Sequence, residues 1–172
     1  MKLKIYSYKG VKSTNDTAIR LIKKNIKQGI VISDVQTNGK GQRGKKWISK
    51  KGNLFISIFF PISKRLNLNK TTLINVKIIK NILKNIIPHK INLKLPNDLE
   101  IMNKKVCGIL QEIIYKDEIK FLIIGVGINI NSSPKLKEYE TTYINKYNNK
   151  INRSKMVHFI KNKFENKYSY YA

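Results

Sequence analysis

The chain has 172 residues, of which 41% are hydrophobic and 26% are charged. This length suits one domain with its own core, and this composition excludes a disordered chain. No apolar run approaches the roughly 18–20 residues of a membrane helix, and the N-terminus lacks the long apolar stretch of a secretory signal. The single cysteine, Cys107, excludes an internal disulfide and a cysteine-based zinc cluster. We therefore expect a cytoplasmic protein with no membrane partner.

The net charge of +25 makes a basic nucleic-acid-binding module one alternative. Against it, the chain has 31 Lys but 4 Arg, together with 29 Ile and 20 Asn. Arginine is the residue that reads bases and grips phosphates with two hydrogen bonds. Codons rich in A and T would produce this excess of Lys, Ile and Asn without selection for nucleic acid. Nucleic-acid binding is therefore the less favoured interpretation, although so positive a field should attract phosphates and acidic partners.

The hydrophobic pattern predicts short strands, three helices and a long glycine-rich loop. In chain order these are a strand at 5–8, a helix that starts within 13–16 and ends at Gly29, a strand at 29–36, a loop at 37–52, a strand at 53–60 closed by Pro61, a helix at 70–87 stopped by Pro88, strands at 91–94, 99–102, 105–115 and 120–130, and a helix at 154–168. Turns are predicted at Asn103-Lys104 and at 116–118.

The two longer helices each have an apolar stripe, which is expected to pack on the sheet. The stripes are Leu73, Val76, Ile79, Leu83 and Ile86 in the first, and Met156, Phe159, Ile160 and Phe164 in the second. Consecutive strands joined by short turns form antiparallel pairs. The predicted fold class is therefore α+β, with a mixed, largely antiparallel sheet and helices mainly on one face.

The segment Gly39 to Gly44 matches G-x-G-x-x-G, the pattern of a dinucleotide-binding turn. Such a turn is followed by a helix and, about 20 residues later, by an acid. Here a strand follows, and residues 35–97 contain no Asp or Glu, so the pattern does not indicate a Rossmann fold. Close glycines nevertheless let backbone N–H groups approach a ligand. With the neighbouring cations and an aromatic ring, they predict an anion-binding lid: Lys40, Arg43, Lys45, Lys46 and Trp47.

Five sequence blocks, in this order, resemble the motif set of biotin protein ligases. They are Ser13-Thr14-Asn15, Gln36-Thr37-x-Gly39-Lys40-Gly41-Gln42-Arg43-Gly44-Lys45-x-Trp47, Lys94-x-Pro96-Asn97-Asp98, Lys104-Lys105-Val106-x-Gly108-Ile109-Leu110-x-Glu112 and Gly125-x-Gly127-Ile128-Asn129-Ile130-Asn131. Each block alone has low specificity, whereas five in the family's order over roughly residues 5–170 have high specificity. The glycine-rich loop and the Lys94 to Asp98 block are the most specific.

The resemblance implies a biotin–[acetyl-CoA-carboxylase] ligase with the fold shared by class II aminoacyl-tRNA synthetases and biotin ligases. Members of that family use ATP and Mg²⁺ to convert biotin to biotinyl-5′-AMP and pyrophosphate. They then transfer biotin to one lysine of a carrier, here expected to be the biotin carboxyl carrier protein of acetyl-CoA carboxylase. Adenylation is needed because a carboxylate has no good leaving group, and the site must keep water from the anhydride.

The resemblance also implies roles for individual residues. The implied catalytic residues are Lys105, Asp98 and Lys40. The implied biotin-binding residues are Ser13, Thr14, Asn15, Gln36, Lys40, Gly41, Gln42 and Lys105. The implied residues for ATP or the adenylate are Gly39, Arg43, Trp47, Asn97 and Asn129. No residue is implied as a direct metal ligand. Mg²⁺ would enter with ATP, and Asn129 would face it.

The sequence departs from the family pattern at several positions. Lys40 and Gln42 stand where the loop commonly has arginines: the lysine keeps the charge but loses the bidentate donor, and Gln42 loses the charge. Leu95 replaces a tryptophan and keeps an apolar side chain. Because the first motif begins at Ser13, we expect no N-terminal helix-turn-helix domain. Because the chain ends after its last helix, we expect the small C-terminal β-domain to be absent, leaving residues 1–172 as a single catalytic domain.

Two other activities are alternatives. One belongs to enzymes of related fold, and the other would use Cys107 as a nucleophile. Lipoate or octanoate ligases and transferases have related chemistry, but the loop and the Lys94 to Asp98 block favour biotin. Cys107 could be the nucleophile of a thiol acyltransferase. A single cysteine between Val106 and Gly108 in a strand is more often a small buried apolar residue, which is the prediction made here.

Overall fold

Residues 1–63 and 67–169 are described by a computed structural model, and a seven-stranded sheet forms their centre. The strands are β1 (Ile5–Tyr8), β2 (Gly29–Ser33), β3 (Leu54–Ile62), β4 (Ile91–Lys94), β5 (Asp98–Ile101), β6 (Lys104–Lys116) and β7 (Ile119–Ile128). The helices are α1 (Thr14–Lys23), α2 (Leu68–Lys84) and α3 (Arg153–Lys167). None of these helices is both long enough and apolar enough to cross a membrane.

The strand order is β1-β2-β3-β7-β6-β5-β4, and β1 with β2 is the one parallel pair among these neighbours. The prediction of a mixed, largely antiparallel sheet is therefore confirmed. Two-residue loops join β5 to β6 and β6 to β7, and both residues of each loop have positive φ, as type I′ hairpins require. The first loop is Met102-Asn103, so Lys104 belongs to β6 and the predicted turn was one residue late.

Helices α2 and α3 pack on one face of the sheet, which confirms the prediction that the two longer helices share a face. Their apolar side chains meet alternate residues of β3 and β7, including Ile56, Ile58 and Ile124. Helix α1 lies on the opposite face. There its apolar residues pack against strand residues and form a second core. This core contains Ala18, Leu21, Ile22, Val31, Phe59, Phe121 and Ile123. Because α1 covers only part of its face, the rest of that surface is free to form a site.

Other predicted details were wrong. Helix α1 ends at Lys23 rather than at Gly29, because Asn25 adopts a left-handed conformation. Strand β2 begins at Gly29 as predicted but ends at Ser33 rather than at Gln36. Pro61 lies within β3 rather than closing it. The first residue of β2, Gly29, pairs with Phe59, so no residue of β2 lies opposite Pro61 to need the missing N–H. Leu73 is exposed, while the stripe of α2 continues through Val76, Ile79, Ile82 and Leu83.

Candidate active site

A cavity of about 440 Å³ opens beside the N-terminus of α1, on the sheet face that this helix leaves uncovered. Its floor is formed by β6 and β7, where Gly108 pairs with Gly127 and Leu110 pairs with Gly125. The glycine-rich loop forms one wall, and the β4–β5 turn around Asn97 forms another. Because these glycines have no side chain, side chains from other elements can pack directly against the two strands.

The indole of Trp47 lies on this glycine floor. A Cβ added at Gly108 would stand 2.7 Å from Trp47 Cζ3, and one added at Gly127 would stand 2.6 Å from Trp47 Cζ2. At Gly125 an added Cβ would stand 2.5 Å from Asn15 Oδ1. These distances are shorter than any normal carbon contact, so the three positions require glycine. A glycine inside a buried strand indicates that another group approaches the backbone closely.

The first turn of α1 supplies the polar end of the cavity. Ser13 caps the helix by accepting from the Asp16 N–H at 3.4 Å. The backbone N–H and the hydroxyl of Thr14 both donate to Gln36 Oε1, at 2.8 and 3.0 Å. Gln36 Nε2 in turn donates to Ser49 Oγ at 3.2 Å. This chain of bonds fixes the side chains that were predicted to bind the head of biotin.

Asn15 is buried in the same turn and has two protein partners. Its Nδ2 donates to Glu112 Oε2 at 2.5 Å, and its Oδ1 accepts from Ser57 Oγ at 2.5 Å. Glu112 lies in one of the quoted sequence blocks, yet nothing in its local pattern reveals that it reaches α1. Ser57 carries no sequence signal at all.

Lys105 and Asp98 form an ion pair at the edge of the floor. Lys105 Nζ lies 2.7 Å from Asp98 Oδ2, and both side chains are largely buried, at 14% and 22% exposure. The ammonium is also 5.4 Å from the ring centre of Trp47 and 5.1 Å from that of Tyr139. Both separations are within the range of cation–π attraction. A desolvated ammonium held by one carboxylate and two rings is suited to meet a developing negative charge.

The glycine-rich loop folds back over the cavity. Trp47 N–H donates to Gly39 O at 2.9 Å, and Gly41 N–H donates to Lys45 O at 2.7 Å. Arg43 and Gly44 have left-handed φ values of 53° and 74°, which make the sharp turn at the tip. The loop therefore has a defined hairpin-like shape at the cavity wall.

Lys40 is held by a partner that the sequence did not predict. Its Nζ lies 2.5 Å from Asp16 Oδ1 in the first turn of α1. The hydrogen bond to Asp16 raises the pKa of Lys40 above its usual value, against the opposing effect of burial. Lys40 still lines the cavity, so its charge contributes to the positive wall.

The cavity brings together most of the residues predicted for the site. These are Ser13, Thr14, Asn15, Gln36, Lys40, Gly41, Gln42, Arg43, Trp47, Asn97, Asp98 and Lys105. Asn97 also fixes the start of β5, because its Nδ2 donates to Ile109 O at 2.9 Å. Gly39 does not line the cavity. It lies buried at the base of the loop, where an added Cβ would stand 2.5 Å from Trp47 O.

Asn129 lines a smaller neighbouring cavity of about 20 Å³ rather than the main one. Its Nδ2 donates to Thr142 O at 3.0 Å, while its buried Oδ1 has no hydrogen-bond partner among residues 1–63 and 67–169. Within the same described residues, the buried atoms Trp47 Nε1 and Asp98 Oδ1 also have no hydrogen-bond partner. Buried polar atoms left unpaired at a cavity are candidates to bind a ligand.

Tyr139 belongs to a segment that sequence reasoning left without a function. Lys105 N–H donates to Glu140 O at 2.9 Å, and Thr142 N–H donates to Lys105 O at 2.8 Å. This pairing brings Tyr139 to both cavities. No local pattern could reveal it, because the contact joins residues more than thirty positions apart.

Cys107 takes no part in the cavity. It is fully buried in the apolar core, and burial raises the pKa of its thiol well above the usual range. A thiol that stays protonated at neutral pH is a poor nucleophile. The prediction of a small buried apolar residue is confirmed.

The fold is that of biotin protein ligase structures. The chain superimposes on the biotin protein ligase of Aquifex aeolicus in complex with biotin and ATP with a TM-score of 0.80 and 29% identity, covering 95% of this chain and 69% of that one. The ligase of Leishmania major in complex with biotinyl-5-AMP gives a TM-score of 0.80 at 24% identity, over 98% of this chain and 76% of that one, and supports the fold alone.

The sequence gives the same assignment. The chain belongs to the biotin/lipoate A/B protein ligase family, whose family model matches residues 8–129. It is 33% identical to the bifunctional ligase/repressor BirA of Bacillus subtilis over 171 residues, which cover 92% of this chain. The match covers 52% of that relative, so the chain spans about half the length of such curated relatives.

Proposed function

We propose that the protein is an ATP-dependent biotin ligase that forms biotinyl-5′-AMP and transfers biotin to one lysine of a carrier protein. The carrier we propose is the biotin carboxyl carrier protein of acetyl-CoA carboxylase, in the cytoplasm. We also propose residues 1–172 as one catalytic domain, since a single sheet runs through the described part. The observation that carries the proposal is the buried Lys105–Asp98 pair, 2.7 Å apart, in the same cavity as the polar turn of α1.

In the first step, an oxygen of the biotin carboxylate attacks the α-phosphorus of ATP, and the bond to the β-phosphate oxygen breaks, releasing pyrophosphate. Negative charge accumulates on the α-phosphate oxygens. We assign Lys105 to neutralise it, with Lys40 and the backbone N–H groups of Gly41 and Gln42 contributing from the loop. Gly39 shapes the base of this loop, and Arg43 and Trp47 would cover the adenylate.

Mg²⁺ would enter with ATP, bound chiefly by phosphate oxygens. One oxygen that the chain offers beside the main cavity is Asn129 Oδ1, which is buried and unpaired among the described residues. An amide oxygen is a suitable ligand for this hard cation, so Asn129 fits a role in holding Mg²⁺. When bound, the cation would neutralise phosphate charge. Asn97 would face the nucleotide from the β4–β5 turn.

In the second step, the amine of the carrier lysine attacks the carbonyl carbon of the adenylate, an amide forms and AMP leaves. The amine must lose a proton, because a free lysine with a pKa near 10.4 is almost entirely protonated at pH 7. We assign Asp98 to orient that amine and accept the proton. Its Oδ1 has no partner among residues 1–63 and 67–169, while Oδ2 is held by Lys105.

The polar end of the cavity favours biotin over lipoate or octanoate. Thr14, Asn15 and Gln36 present hydroxyl and amide groups there. These groups already pair in part within the protein. A urea both donates and accepts hydrogen bonds and can use their remaining donors and acceptors, whereas an aliphatic chain would cover those atoms without pairing them, at a cost of about 1–3 kcal/mol each.

The test is incubation with ATP, Mg²⁺, labelled biotin and an unmodified biotin carrier domain, with lipoate and octanoate as competing acids. We expect one modified lysine, identified by mass spectrometry, and no modification of a carrier whose acceptor lysine is replaced by arginine. Preferential attachment of lipoate or octanoate would assign the chain to the other branch of its family. Absence of any acid-dependent ATP–pyrophosphate exchange would reject a ligase altogether.

A further inference from the structure

Glu112 connects the sheet to the polar turn of α1. It lies on β6, on the face that carries Gly108 and Leu110, and pairs across the sheet with Ile123. It is not one of the residues that line the cavity. Its carboxylate reaches Asn15, which does line the cavity, at 2.5 Å. Glu112 can therefore influence a bound ligand through Asn15 without touching it.

The two partners of Asn15 determine which way its amide faces. An ionised carboxylate can accept hydrogen bonds but cannot donate them, so the NH₂ group must face Glu112. The carbonyl oxygen then faces the opposite partner, Ser57, whose hydroxyl donates to it at 2.5 Å. Asn15 is 3% exposed, and its carbonyl oxygen lies against Gly125, which leaves little room for the amide to turn over.

These contacts use half of the hydrogen-bonding capacity of Asn15. An amide has two N–H donors and two lone pairs, and the described residues use one of each. One donor and one acceptor remain at fixed positions beside the cavity. Donation of one N–H to a charged acceptor also polarises the amide, which strengthens its carbonyl oxygen as an acceptor.

We propose that Glu112 is a positioning residue that orients the Asn15 amide, with Ser57, so that the cavity selects acids whose far end both donates and accepts hydrogen bonds, as a urea ring does. The inference rests on the proposed function, since it concerns which acid the same site binds. It assigns the preference for biotin over an aliphatic acid to a residue behind the cavity wall.

The experiment measures the dissociation constants of biotin and of octanoate by calorimetry, for the whole chain and three variants. In Glu112→Ala the biotin affinity should fall about tenfold or more, while octanoate, which has no group to pair with the amide, should bind as before. Glu112→Gln should restore most of the biotin affinity, because its side-chain oxygen can still accept from Asn15. Ser57→Ala should lower the ratio of biotin to octanoate affinity in the same direction.

Gln111→Ala is the matched control. Gln111 is the adjacent residue of β6 on the opposite face, where it accepts from Asn75 Nδ2 at 2.8 Å, so its loss removes a similar bond far from the cavity. Its biotin affinity should be unchanged. Thermal unfolding identifies any variant that does not fold, and Glu112→Gln with Ser57→Ala then carry the test.

Three outcomes would overturn the inference. In the first, biotin affinity is unchanged in the folded Glu112 and Ser57 variants. In the second, both acids weaken equally in them, which would indicate a structural role alone. In the third, the wild-type chain fails to prefer biotin, which would reject the proposed function itself and with it the selection argued here.

Discussion

The ammonium of Lys105 lies 2.7 Å from the carboxylate of Asp98, and the two residues stand near opposite ends of a bulged pairing between β5 and β6. The bulge occurs where Leu99 pairs with Cys107 but Glu100 pairs with Lys105. The extra residue on β6 turns Lys105 toward the cavity face instead of the core. A local irregularity of one strand thus creates the charged pair of the site.

Lys105→Ala should abolish adenylate formation, lowering biotin-dependent ATP–pyrophosphate exchange by about 10²–10³-fold, because Lys40, which is paired with Asp16, cannot replace the lost ammonium. The control is Lys104→Ala, which removes the adjacent lysine and its surface pair with Glu140. Equal exchange rates in the two variants would refute the role of Lys105.

Asp98→Asn should separate the two steps. The variant keeps the shape of the side chain but cannot take the proton of the acceptor amine, so transfer should slow while adenylate still forms. Single-turnover transfer from preformed adenylate to the carrier measures this directly. Asp117→Asn, in the β6–β7 turn, is the control for loss of one carboxylate. Normal transfer by the Asp98 variant would contradict its assignment.

Gly127→Ala should displace Trp47. The new methyl group would overlap the indole, and overpacking of this kind costs about 1–3 kcal/mol. Since the chain has one tryptophan, its fluorescence emission reports the displacement, and urea unfolding reports the stability. Gly10→Ala is the control, because a Cβ there would meet Val35 at an ordinary 3.5 Å. An unshifted emission spectrum in the Gly127 variant would show that the indole does not rest on this strand.

Gln42→Arg should slow the escape of the adenylate. Gln42 lines the cavity in a loop that already carries Arg43, and a further positive charge would attract the phosphate, more strongly at low salt. Release of labelled adenylate after rapid dilution measures the effect. Asn149→Arg adds the same charge at an exposed position outside the cavity and should change nothing. Similar release rates in both variants would mean that charge at this loop position is unimportant.

Asp34→Asn should destabilise the protein in a pH-dependent way. A hydrogen bond from Arg153 lowers the pKa of Asp34 below its usual 3.8, so the pair stabilises the fold above that pH and the effect disappears as pH falls through the lowered value. Because Asp34 is 44% exposed, we expect about 0.2–1 kcal/mol at pH 7. Thermal unfolding over a series of pH values from 7 downward measures the difference, which should shrink as pH falls below 3.8.

Much of the fold follows from local patterns in the sequence. Runs of apolar residues predicted β3 and β7, and the capping residue Ser13 predicted where α1 begins, because each signal depends on neighbours along the chain. Element ends were less predictable. Helix α1 stops at Lys23 because Asn25 turns left-handed, and Pro61 continues β3 because the pairing with β2 does not extend beyond Phe59.

Some features of the site also followed from the sequence, whereas others depended on the tertiary structure. Motif order predicted that Lys105, Asp98, Trp47 and the polar turn of α1 belong to one site, and all of them line one cavity. The glycine floor, the Asp16 partner of Lys40 and the approach of Tyr139 were decided by tertiary structure. Each depends on strands and loops far apart in sequence meeting at one sheet face. A sequence specifies which groups are available, but their distances and orientations arise only when the sheet packs, because contact energies act through space and not along the chain.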